Sequence, residues 1–349
     1  MPSPVLSAAI DRLLDGDDLG RDGAAEALEA ILSGEAGDAQ TAGFLIALRA
    51  KGETADELAG LASVVRAHAQ SVAGPPGRFI DTCGTGGGAS TFNISTATAF
   101  VVAGACVPVA KHGNRSATSR SGSADVLEAL GARIDLDGGA VADCMAQAHV
   151  GFMFAPAHHP AFKHVVPVRK ALGVRTIFNL LGPLTNPAGA PRQLLGVSDA
   201  DYLDRMAEAL GALGVERAFL VSGRDGLDEV STMAPTDVAE VVGGEVRRWV
   251  IDPGELGFEP PDPASVAGGE PEENAAVISG VLAGERGPAR DLVVINAAAA
   301  MLVADRVSDM REGCLTAEEV IDTGAAAGAL EDFLAITARL APAPASDAP

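Results

Sequence analysis

The fold is decided by residues 79–106, which read FIDTCGTGGGASTFNISTATAFVVAGAC. Phe79-Ile80 predicts a short strand, Gly84-Thr85-Gly86-Gly87-Gly88 a loop almost without side chains, and residues 95–106 an apolar helix. The backbone of such a loop can approach a ligand closely and direct several N–H groups at one anion. The order strand, loop, helix also places Asn93-Ile94-Ser95-Thr96 at a helix N-terminus, which favours phosphate. A flexible turn followed by an ordinary N-cap is the alternative interpretation.

The residues before this stretch are predicted to be helical. Apolar side chains recur at helical spacing from residue 5 to residue 70, and Thr54 with Glu57 predicts a capping box. Gly74-Pro75-Pro76-Gly77 then interrupts regular structure. We therefore predict a helical domain over residues 1–74.

The residues after it alternate between strands and helices. Further strands are predicted at residues 107–110, 133–136, 150–154 and 218–221. Helices are predicted at residues 123–130, 139–149, 199–213, 270–284 and 290–304. This alternation favours an α/β domain with a largely parallel sheet, which we place at residues 75–340. The Ala- and Pro-rich residues 341–349 predict a disordered, solvated tail.

Composition and charge narrow the classes of function. Lys plus Arg number 25 and Asp plus Glu 47, so a net charge of -22 repels nucleic acid and anionic lipid. No apolar run reaches the roughly 18 residues of a membrane span. Four scattered cysteines without a CxxC pair indicate reduced thiols and a cytoplasmic protein. A chain this acidic that binds phosphate must concentrate its basic residues locally or neutralise the ligand with a metal ion.

A second polar cluster follows the strand predicted at residues 107–110. Lys111-His112-Gly113-Asn114-Arg115 is basic, and it is followed by the hydroxyl side chains of Ser116, Thr118, Ser119, Ser121 and Ser123. Ligands of α/β proteins bind at the carboxyl ends of parallel strands, so the cluster indicates an anion-binding site. Solvated surface charges beside a hydroxyl-rich loop are the alternative.

Three further groups carry less information on their own. Arg169 has a guanidinium fork that suits a carboxylate, although its spacing also fits a helix surface. His158 and His159 lack the spacing of metal ligands and, taken alone, indicate capping or packing. Asp228-Glu229 follows the strand predicted at residues 218–221, and adjacent carboxylates suit Mg²⁺, although in an acidic chain such pairs are commonly solvated.

Taken together, these segments resemble the anthranilate phosphoribosyltransferase family. The resemblance runs from about residue 5 to about residue 335, and its motifs follow the family's order and approximate spacing. The matching motifs are Gly84-Thr-Gly-Gly, Asn93-Ile-Ser-Thr, Lys111-His-Gly-Asn-Arg, Ser121-Gly-Ser-Ala-Asp-Val-Leu-Glu, Arg175-Thr-Ile-Phe-Asn, Leu181-Gly-Pro-Leu-Thr-Asn-Pro and Asp228-Glu-Val.

The resemblance implies a fold of the nucleoside phosphorylase/phosphoribosyltransferase type. A small N-terminal helical domain, completed by a returning segment near residues 165–185, is joined by a hinge to a larger α/β domain with a largely parallel central sheet. Members of the family are usually homodimers through the helical domain, so a homodimer is expected here.

The resemblance also implies the site. Phosphoribosyl pyrophosphate would be bound by Gly84, Gly87, Gly88, Thr91, Asn93, Ile94, Ser95, Thr96, Lys111, His112, Gly113, Asn114, Arg115, Ser119 and Ser123. Anthranilate would be bound by Gly84, Asn114, His159 and Arg169. Magnesium, with two ions expected, would be held by Ser95, Asp228 and Glu229. No general base is identified, and Lys111 is expected to stabilise the leaving pyrophosphate.

The implied reaction transfers the phosphoribosyl group to the amine of anthranilate, giving N-(5-phosphoribosyl)anthranilate and pyrophosphate in tryptophan biosynthesis. The chain departs from the family at Gly88, where an aspartate in a loop one residue longer is usual. An acidic contact near the pyrophosphate or metal is therefore missing. A pyrimidine nucleoside phosphorylase is the nearest alternative, against which residues 175–187 argue. A catalytically silent nucleic-acid-binding relative is the other, against which the net charge of -22 argues.

Overall fold

A computed structural model describes residues 2–116 and 120–341, so Ser119 and most of the predicted tail lie outside the described residues. The chain begins with the helices α1 (Pro4–Leu14), α2 (Gly20–Leu32), α3 (Asp38–Lys51) and α4 (Ala55–His68). Their apolar faces share one core. The capping box at the start of α4 is confirmed, because the Glu57 N–H donates to Thr54 Oγ1 over 3.2 Å and the Glu57 carboxylate accepts the Thr54 N–H over 2.9 Å.

The remainder of the described chain is built on one seven-stranded sheet. Its strands are β1 (Ile80–Gly84), β2 (Val109–Gly113), β3 (Val150–Phe154), β4 (Arg192–Gly196), β5 (Arg217–Gly223), β6 (Thr236–Val242) and β7 (Glu245–Ile251). The order is β3-β2-β1-β4-β5-β6-β7. The first five strands are parallel, whereas β6 and β7 add an antiparallel hairpin at one edge. The predicted α/β class with a largely parallel sheet is confirmed.

Further helices follow in the chain, and most of them cover the two faces of the sheet, whereas those at residues 166–172 and 178–184 pack against α3 and α4. These further helices are α5 (Ile94–Gly104), α6 (Ser123–Ala129), α7 (Gly138–Ala148), α8 (Ala155–His158), α9 (Val166–Leu172), α10 (Phe178–Leu184), α11 (Leu203–Ala212), α12 (Pro271–Leu282), α13 (Pro288–Val303), α14 (Met310–Asp322) and α15 (Ala325–Leu340). Side chains alternate along β5, so Phe219 joins the core formed with α5, α13 and α15, and Leu220 joins the core of α1–α4 and α11. None of the described helices is long and apolar enough to cross a bilayer.

The segment between α6 and α7 corrects one prediction. The strand predicted at residues 133–136 is wrong, because these residues pair with no strand. Ile134 and Leu136 are buried while Asp135 is exposed, so the alternation reflects a chain lying over the core. The Arg133 N–H donates to the Thr337 hydroxyl of α15 over 3.3 Å, not to a ladder partner.

The strand predicted at residues 107–110 begins two residues later and extends to Gly113. Lys111 and His112 are therefore strand residues, and they do not follow the strand. The sequence did not indicate the end of β2, because strands were predicted from apolar residues and Lys111 and His112 are polar. These two side chains fit inside the sheet because their partners are buried groups.

Candidate active site

Four parallel strands end in glycine at the same edge of the sheet: β1 at Gly84, β2 at Gly113, β4 at Gly196 and β5 at Gly223. The carboxyl ends of parallel strands meet there, and this edge is where α/β sheets bind ligands. At Gly196 a Cβ atom would lie 1.6 Å from the backbone oxygen of Asp228. Glycine at the end of β4 therefore lets the Asp228-Glu229 loop approach the centre of this edge.

Lys111 lies at the centre of the cluster and is 2% exposed. Its Nζ donates to the backbone oxygen of Thr82 and, over 3.2 Å, to Ser95 Oγ. Burial lowers the pKa of Lys111, and the nearby carboxylates of Asp81 and Glu229 oppose that shift. The ammonium group thus has neutral hydrogen-bond partners and no direct ion pair among the described residues.

The two adjacent acids occupy different environments. Asp228 Oδ2 accepts the Gly86 N–H over 2.9 Å, and burial raises the pKa of this carboxyl. Burial, with the charge of Asp228 second, raises the pKa of Glu229 to about 8, while Lys111 and the backbone N–H of Ser95 oppose the rise. Of the predicted set, Ser95 and Glu229 thus lie beside Lys111, and Asp228 lies beside Glu229 and the glycine loop.

These three residues suit a magnesium ion by their chemistry. A hydroxyl and two carboxylates are oxygen ligands, and among the described residues no cation contacts the half-buried Glu229 directly. The described residues contain no group of three or more His, Cys, Asp and Glu side chains placed to hold a metal. Mg²⁺ keeps several waters and binds substrate oxygens, so a small protein ligand set fits it better than a complete cage.

The glycine loop is covered by an arginine that sequence reasoning did not assign to the site. Gly86 and Gly87 have φ values of +67° and +83°, which other residues rarely adopt. A Cβ at Gly87 would lie 2.8 Å from Arg175 Nη1, and Arg175 Nη2 donates to Ser198 Oγ over 3.3 Å. Arg175 therefore places a positive charge over the loop from the segment between α9 and α10.

Asn93, which follows the glycine loop, connects this part of the chain to a second loop that contains Ser121, the Ser121 loop. Its Nδ2 donates to the backbone oxygen of Ser121 over 3.1 Å, and Ser121 Oγ donates back to Asn93 Oδ1 over 3.1 Å. Ser123 begins α6, and its Oγ would lie 2.2 Å from a Cβ at Gly113. The hydroxyl of Ser123 thus stands directly over the end of β2, close to Asn114.

Several residues predicted to bind phosphoribosyl pyrophosphate are buried or already bonded within the protein. Ile94 is buried, as is Thr96, whose hydroxyl has no hydrogen-bond partner within the described ranges. Thr91 forms a bridge with Ala267. Arg115 forms ion pairs with Asp125 and Glu128 of α6, so its charge is already compensated.

The predicted anthranilate residues His159 and Arg169 lie along a chain of rings. The His159 ring centroid is 5.1 Å from that of His112 and 5.1 Å from that of Phe162, which also contacts Phe178. The Arg169 guanidinium lies over Phe178, 5.4 Å from its centroid, and burial lowers its pKa. Burial lowers the pKa of His112 to about 3 and that of His159 to about 4, so both rings are neutral near pH 7.

Comparison with family models decides the assignment. Residues 76–327 match the model described as "Glycosyl transferase family, a/b domain", and residues 7–69 match "Glycosyl transferase family, helical bundle domain". An anthranilate phosphoribosyltransferase from Rubrobacter xylanophilus is 51% identical over 339 residues, covering 97% of this chain and 99% of the relative. This chain belongs to the anthranilate phosphoribosyltransferase family. The family and fold expected from the sequence motifs are confirmed.

Solved structures support the same family. The anthranilate phosphoribosyltransferase of Thermus thermophilus superposes with a TM-score of 0.89 at 40% identity, covering 95% of this chain and 99% of that one. The Saccharomyces cerevisiae enzyme, solved with phosphoribosyl pyrophosphate and Mg, gives a TM-score of 0.88 at 30% identity, covering 96% and 98%. The same yeast enzyme has been solved with 4-fluoroanthranilate, at a TM-score of 0.86 and 29% identity, again covering 96% and 98%.

Two residues beside the site, Asp81 and Asn274, were not predicted from the sequence. Asp81 is fully buried, accepts the His112 N–H over 3.2 Å and the Asn186 amide over 2.8 Å, and faces Lys111. Asn274 lies far along the chain yet donates to Asn93 over 3.0 Å. Asn274 gave no signal in the sequence, because only the folded chain brings it to Asn93. Asp81 stands three residues before the glycine loop, but its role depends on Lys111 of the neighbouring strand.

Proposed function

We propose that this chain transfers the phosphoribosyl group of 5-phosphoribosyl 1-pyrophosphate to the amine of anthranilate, as a step of tryptophan biosynthesis. The observation that carries the proposal is the meeting of Lys111, Ser95 and Glu229 at the carboxyl edge of the sheet. The site combines a buried cation, oxygen ligands for a metal and a glycine loop whose backbone a phosphate can approach closely, which together suit a pyrophosphate ester. The names of the relatives support the same substrates.

The pyrophosphate is assigned to the glycine loop and the start of α5. Gly84, Gly87 and Gly88 supply close backbone approach, while Asn93, Ile94, Ser95 and Thr96 form the helix N-terminus. The ribose and its 5-phosphate are assigned to the second loop, with Gly113, Asn114, Ser119 and Ser123. Thr91, His112 and Arg115 remain proposed contacts, although Arg115 would first have to leave its ion pairs with α6.

The reaction breaks the bond between C1 of the ribose and the pyrophosphate oxygen. The pyrophosphate leaves with the bonding electrons, and the amine of anthranilate supplies the pair for the new C1–N bond. Lys111 holds Ser95 in place and adds positive charge beside the leaving group, while the loop amides donate to its oxygens. Ser95, Asp228 and Glu229 would hold magnesium, proposed as two ions, and the metal would supply positive charge to the pyrophosphate. The neutral aromatic amine needs no general base before attack, and the proton that its nitrogen loses once the C1–N bond has formed passes to the leaving pyrophosphate or to solvent.

Anthranilate is assigned to the chain of rings between β2 and α9. An aromatic carboxylate needs ring contacts together with a cation, and His159, Phe178 and Arg169 provide both within this chain. Asn114 and Gly84 border the same space in our proposal. Holding the amine beside C1 then supplies much of the rate enhancement.

We also propose the domain limits and the assembly. The helical domain comprises residues 1–74 with residues 165–185, and the α/β domain comprises residues 75–340. Large apolar side chains of the helical part are exposed, namely Val5, Leu14, Ile46, Val166 and Val174. We assign this surface to a homodimer interface, which light scattering after size exclusion tests directly. The free cysteines of the described residues support a reducing, cytoplasmic setting.

One assay tests the function. Anthranilate fluorescence should fall when phosphoribosyl pyrophosphate is added in the presence of Mg²⁺, and no fall should occur with EDTA. Absence of turnover at saturating Mg²⁺, with phosphorolysis of thymidine or uridine, would replace the proposal with a pyrimidine nucleoside phosphorylase. A gel shift with nucleic acid would instead support a catalytically silent binding relative.

A further inference from the structure

A distant segment of the chain lies against the phosphate loop. Thr91 and Ala267 form an isolated antiparallel bridge, and the Gly268 N–H donates to the backbone oxygen of Ser90 over 3.3 Å. A Cβ at Gly268 would lie 2.2 Å from the backbone oxygen of Thr91, so the two backbones are in close contact. This contact brings the start of α12 beside Asn93.

Asn274, in the first turn of α12, is 2% exposed and has a fixed amide orientation. Its Nδ2 donates to Asn93 Oδ1 over 3.0 Å, and its Oδ1 accepts the Gly269 N–H over 2.8 Å. A flipped amide would set its oxygen against Asn93 Oδ1 and its NH₂ against the Gly269 N–H. The surroundings therefore permit one orientation, with a donor facing Asn93.

That donor in turn fixes the orientation of Asn93. Asn93 Oδ1 accepts from both Asn274 and the Ser121 hydroxyl, and one N–H of Asn93 Nδ2 donates to the Ser121 backbone oxygen. An amide nitrogen carries two hydrogens, so with respect to residues 2–116 and 120–341 one N–H of Asn93 remains for another acceptor. Asn93 is the N-cap residue of α5, where a phosphate would be bound.

We infer that Asn274 is a positioning residue for phosphoribosyl pyrophosphate: it holds the Asn93 amide so that its remaining N–H faces the phosphate. Asn274 also links α12 to the Ser121 loop, because the Asn93 side chain bonds to both. The inference rests on the proposed function, which supplies the ligand that the N–H would meet.

Asn274→Asp is the variant that tests this role, measured at about pH 8, where the new carboxyl is ionised. The aspartate keeps the shape and still accepts the Gly269 N–H, but it turns a donor toward Asn93 into a negative acceptor. The KM for phosphoribosyl pyrophosphate should rise about tenfold, as expected for a lost hydrogen bond and an opposed acceptor. The KM for anthranilate should stay within about twofold. Ala276→Asp, at an exposed position of the same helix, adds the same charge as a control.

A purely structural role predicts a different result. It would lower the melting temperature and the active fraction, and thus the apparent kcat, without a selective change in the KM for phosphoribosyl pyrophosphate. An unchanged KM in Asn274→Asp and in the milder Asn274→Ala would overturn the inference. If the unsubstituted chain does not consume anthranilate, the proposed function fails first.

A double-mutant cycle tests whether Asn274 acts through Asn93. In an Asn93→Ala background, Asn274→Asp should raise the KM for phosphoribosyl pyrophosphate by less than about twofold, because the group it orients is gone. Full additivity of the two substitutions would show that Asn274 acts by another route and would overturn the inference.

Discussion

Both ends of the parallel sheet carry charged side chains, but those at the amino end form ion pairs, whereas Lys111 and Glu229 at the carboxyl end form none among the described residues. At the amino end, Arg192 and Arg217 begin β4 and β5 and form ion pairs with Asp305 over 2.8 and 2.6 Å. At the carboxyl end, Lys111 donates only to neutral oxygens, and burial with the Asp228 charge raises the pKa of Glu229 to about 8. The protein itself compensates the charges at the amino end, whereas the groups at the carboxyl end are available to a ligand.

This contrast separates stability from function. Compensated charges hold elements together, since Arg192 and Arg217 also donate to backbone oxygens at the end of α13. Uncompensated buried charges cost stability and persist where a ligand completes them. The carboxyl end is therefore the end where substitutions should change catalysis more than folding.

The largest expected effect is that of Lys111→Met. The substitution keeps a long side chain but removes the charge and the hydrogen bond to Ser95. We expect kcat to fall by about 100-fold or more, as for other groups that stabilise a leaving charge. Single-turnover measurement of pyrophosphate release checks this step.

Arg192→Met is the matched control at the opposite end of the sheet. It breaks the pair with Asp305 and should lower the free energy of unfolding by about 1.5–3 kcal/mol. Its kcat per folded molecule should remain near that of the unsubstituted chain. Equal losses of kcat in both variants would remove the distinction between the two ends.

The next largest effect is expected for Arg169→Ala. Loss of a charge-assisted pair with the anthranilate carboxylate costs about 1.5–3 kcal/mol, or about one to two decades in the KM for anthranilate. Arg175→Ala, six residues along the same segment, removes the guanidinium over the glycine loop and should raise the KM for phosphoribosyl pyrophosphate instead. Equal weakening of both substrates by Arg169→Ala would indicate a disturbed domain interface.

The pH dependence of anthranilate binding sharpens the role of Arg169. Burial lowers the pKa of His112 to about 3 and of His159 to about 4. A lowered histidine pKa means that the ring is neutral at any pH above that value, so neither ring gains or loses charge near neutrality. The KM for anthranilate should therefore stay constant between about pH 6 and pH 8. An inflection near pH 6.5 that disappears in His159→Gln would show that a charged histidine contributes.

The sequence predicted the glycine loop, the start of α5, Lys111 and Asp228-Glu229 because each stands in a short contiguous motif, either within the last residues of a strand, as Lys111 does, or after a strand. It gave no signal for β4, β6 and β7, although β4 lies at the centre of the sheet. Arg192 and Gln193 begin β4 and are buried. Their polar groups donate to acceptors outside the strand, Arg192 to the Val303 backbone oxygen and Gln193 to the Pro183 backbone oxygen, so hydrophobicity did not mark the strand.

Asn274 and Arg175 could not be assigned from the sequence for a related reason. Asn274 stands 181 residues from its partner Asn93 and in no recognisable motif. Arg175 belongs to a quoted motif, but which loop it covers depends on how the segment between α9 and α10 returns to the sheet. Contacts of this kind are fixed by topology, which local patterns do not encode.

Glu229→Gln should have a smaller effect on turnover than loss of Lys111. Glutamine keeps the size and removes the charge that a metal requires. We expect activity to fall by at least about tenfold, about 1.4 kcal/mol of barrier, with a raised Mg²⁺ requirement. An unchanged Mg²⁺ titration would show that the pair Asp228-Glu229 binds no metal.

The smallest effect on kcat is expected at Gly88, the position at which we expect this chain to depart from its family. A Cβ there would lie 2.6 Å from Asp228 Oδ1 and 2.8 Å from the backbone oxygen of Gly226. The short loop therefore leaves no room for a side chain unless the Asp228 loop moves. Gly88→Asp would also set a second carboxylate against one that already holds the Gly86 N–H.

We therefore expect that Gly88→Asp does not raise kcat and makes binding of phosphoribosyl pyrophosphate depend more steeply on Mg²⁺, because the added charge needs a cation beside it. Gly88→Ala separates the two causes, since it adds the Cβ without the charge and should leave the Mg²⁺ dependence unchanged. Titration of phosphoribosyl pyrophosphate and Mg²⁺ against the three proteins measures both effects. If the unsubstituted chain is nearly inert and Gly88→Asp restores turnover, the carboxylate is required for catalysis, and backbone amides alone do not explain how this loop holds the pyrophosphate.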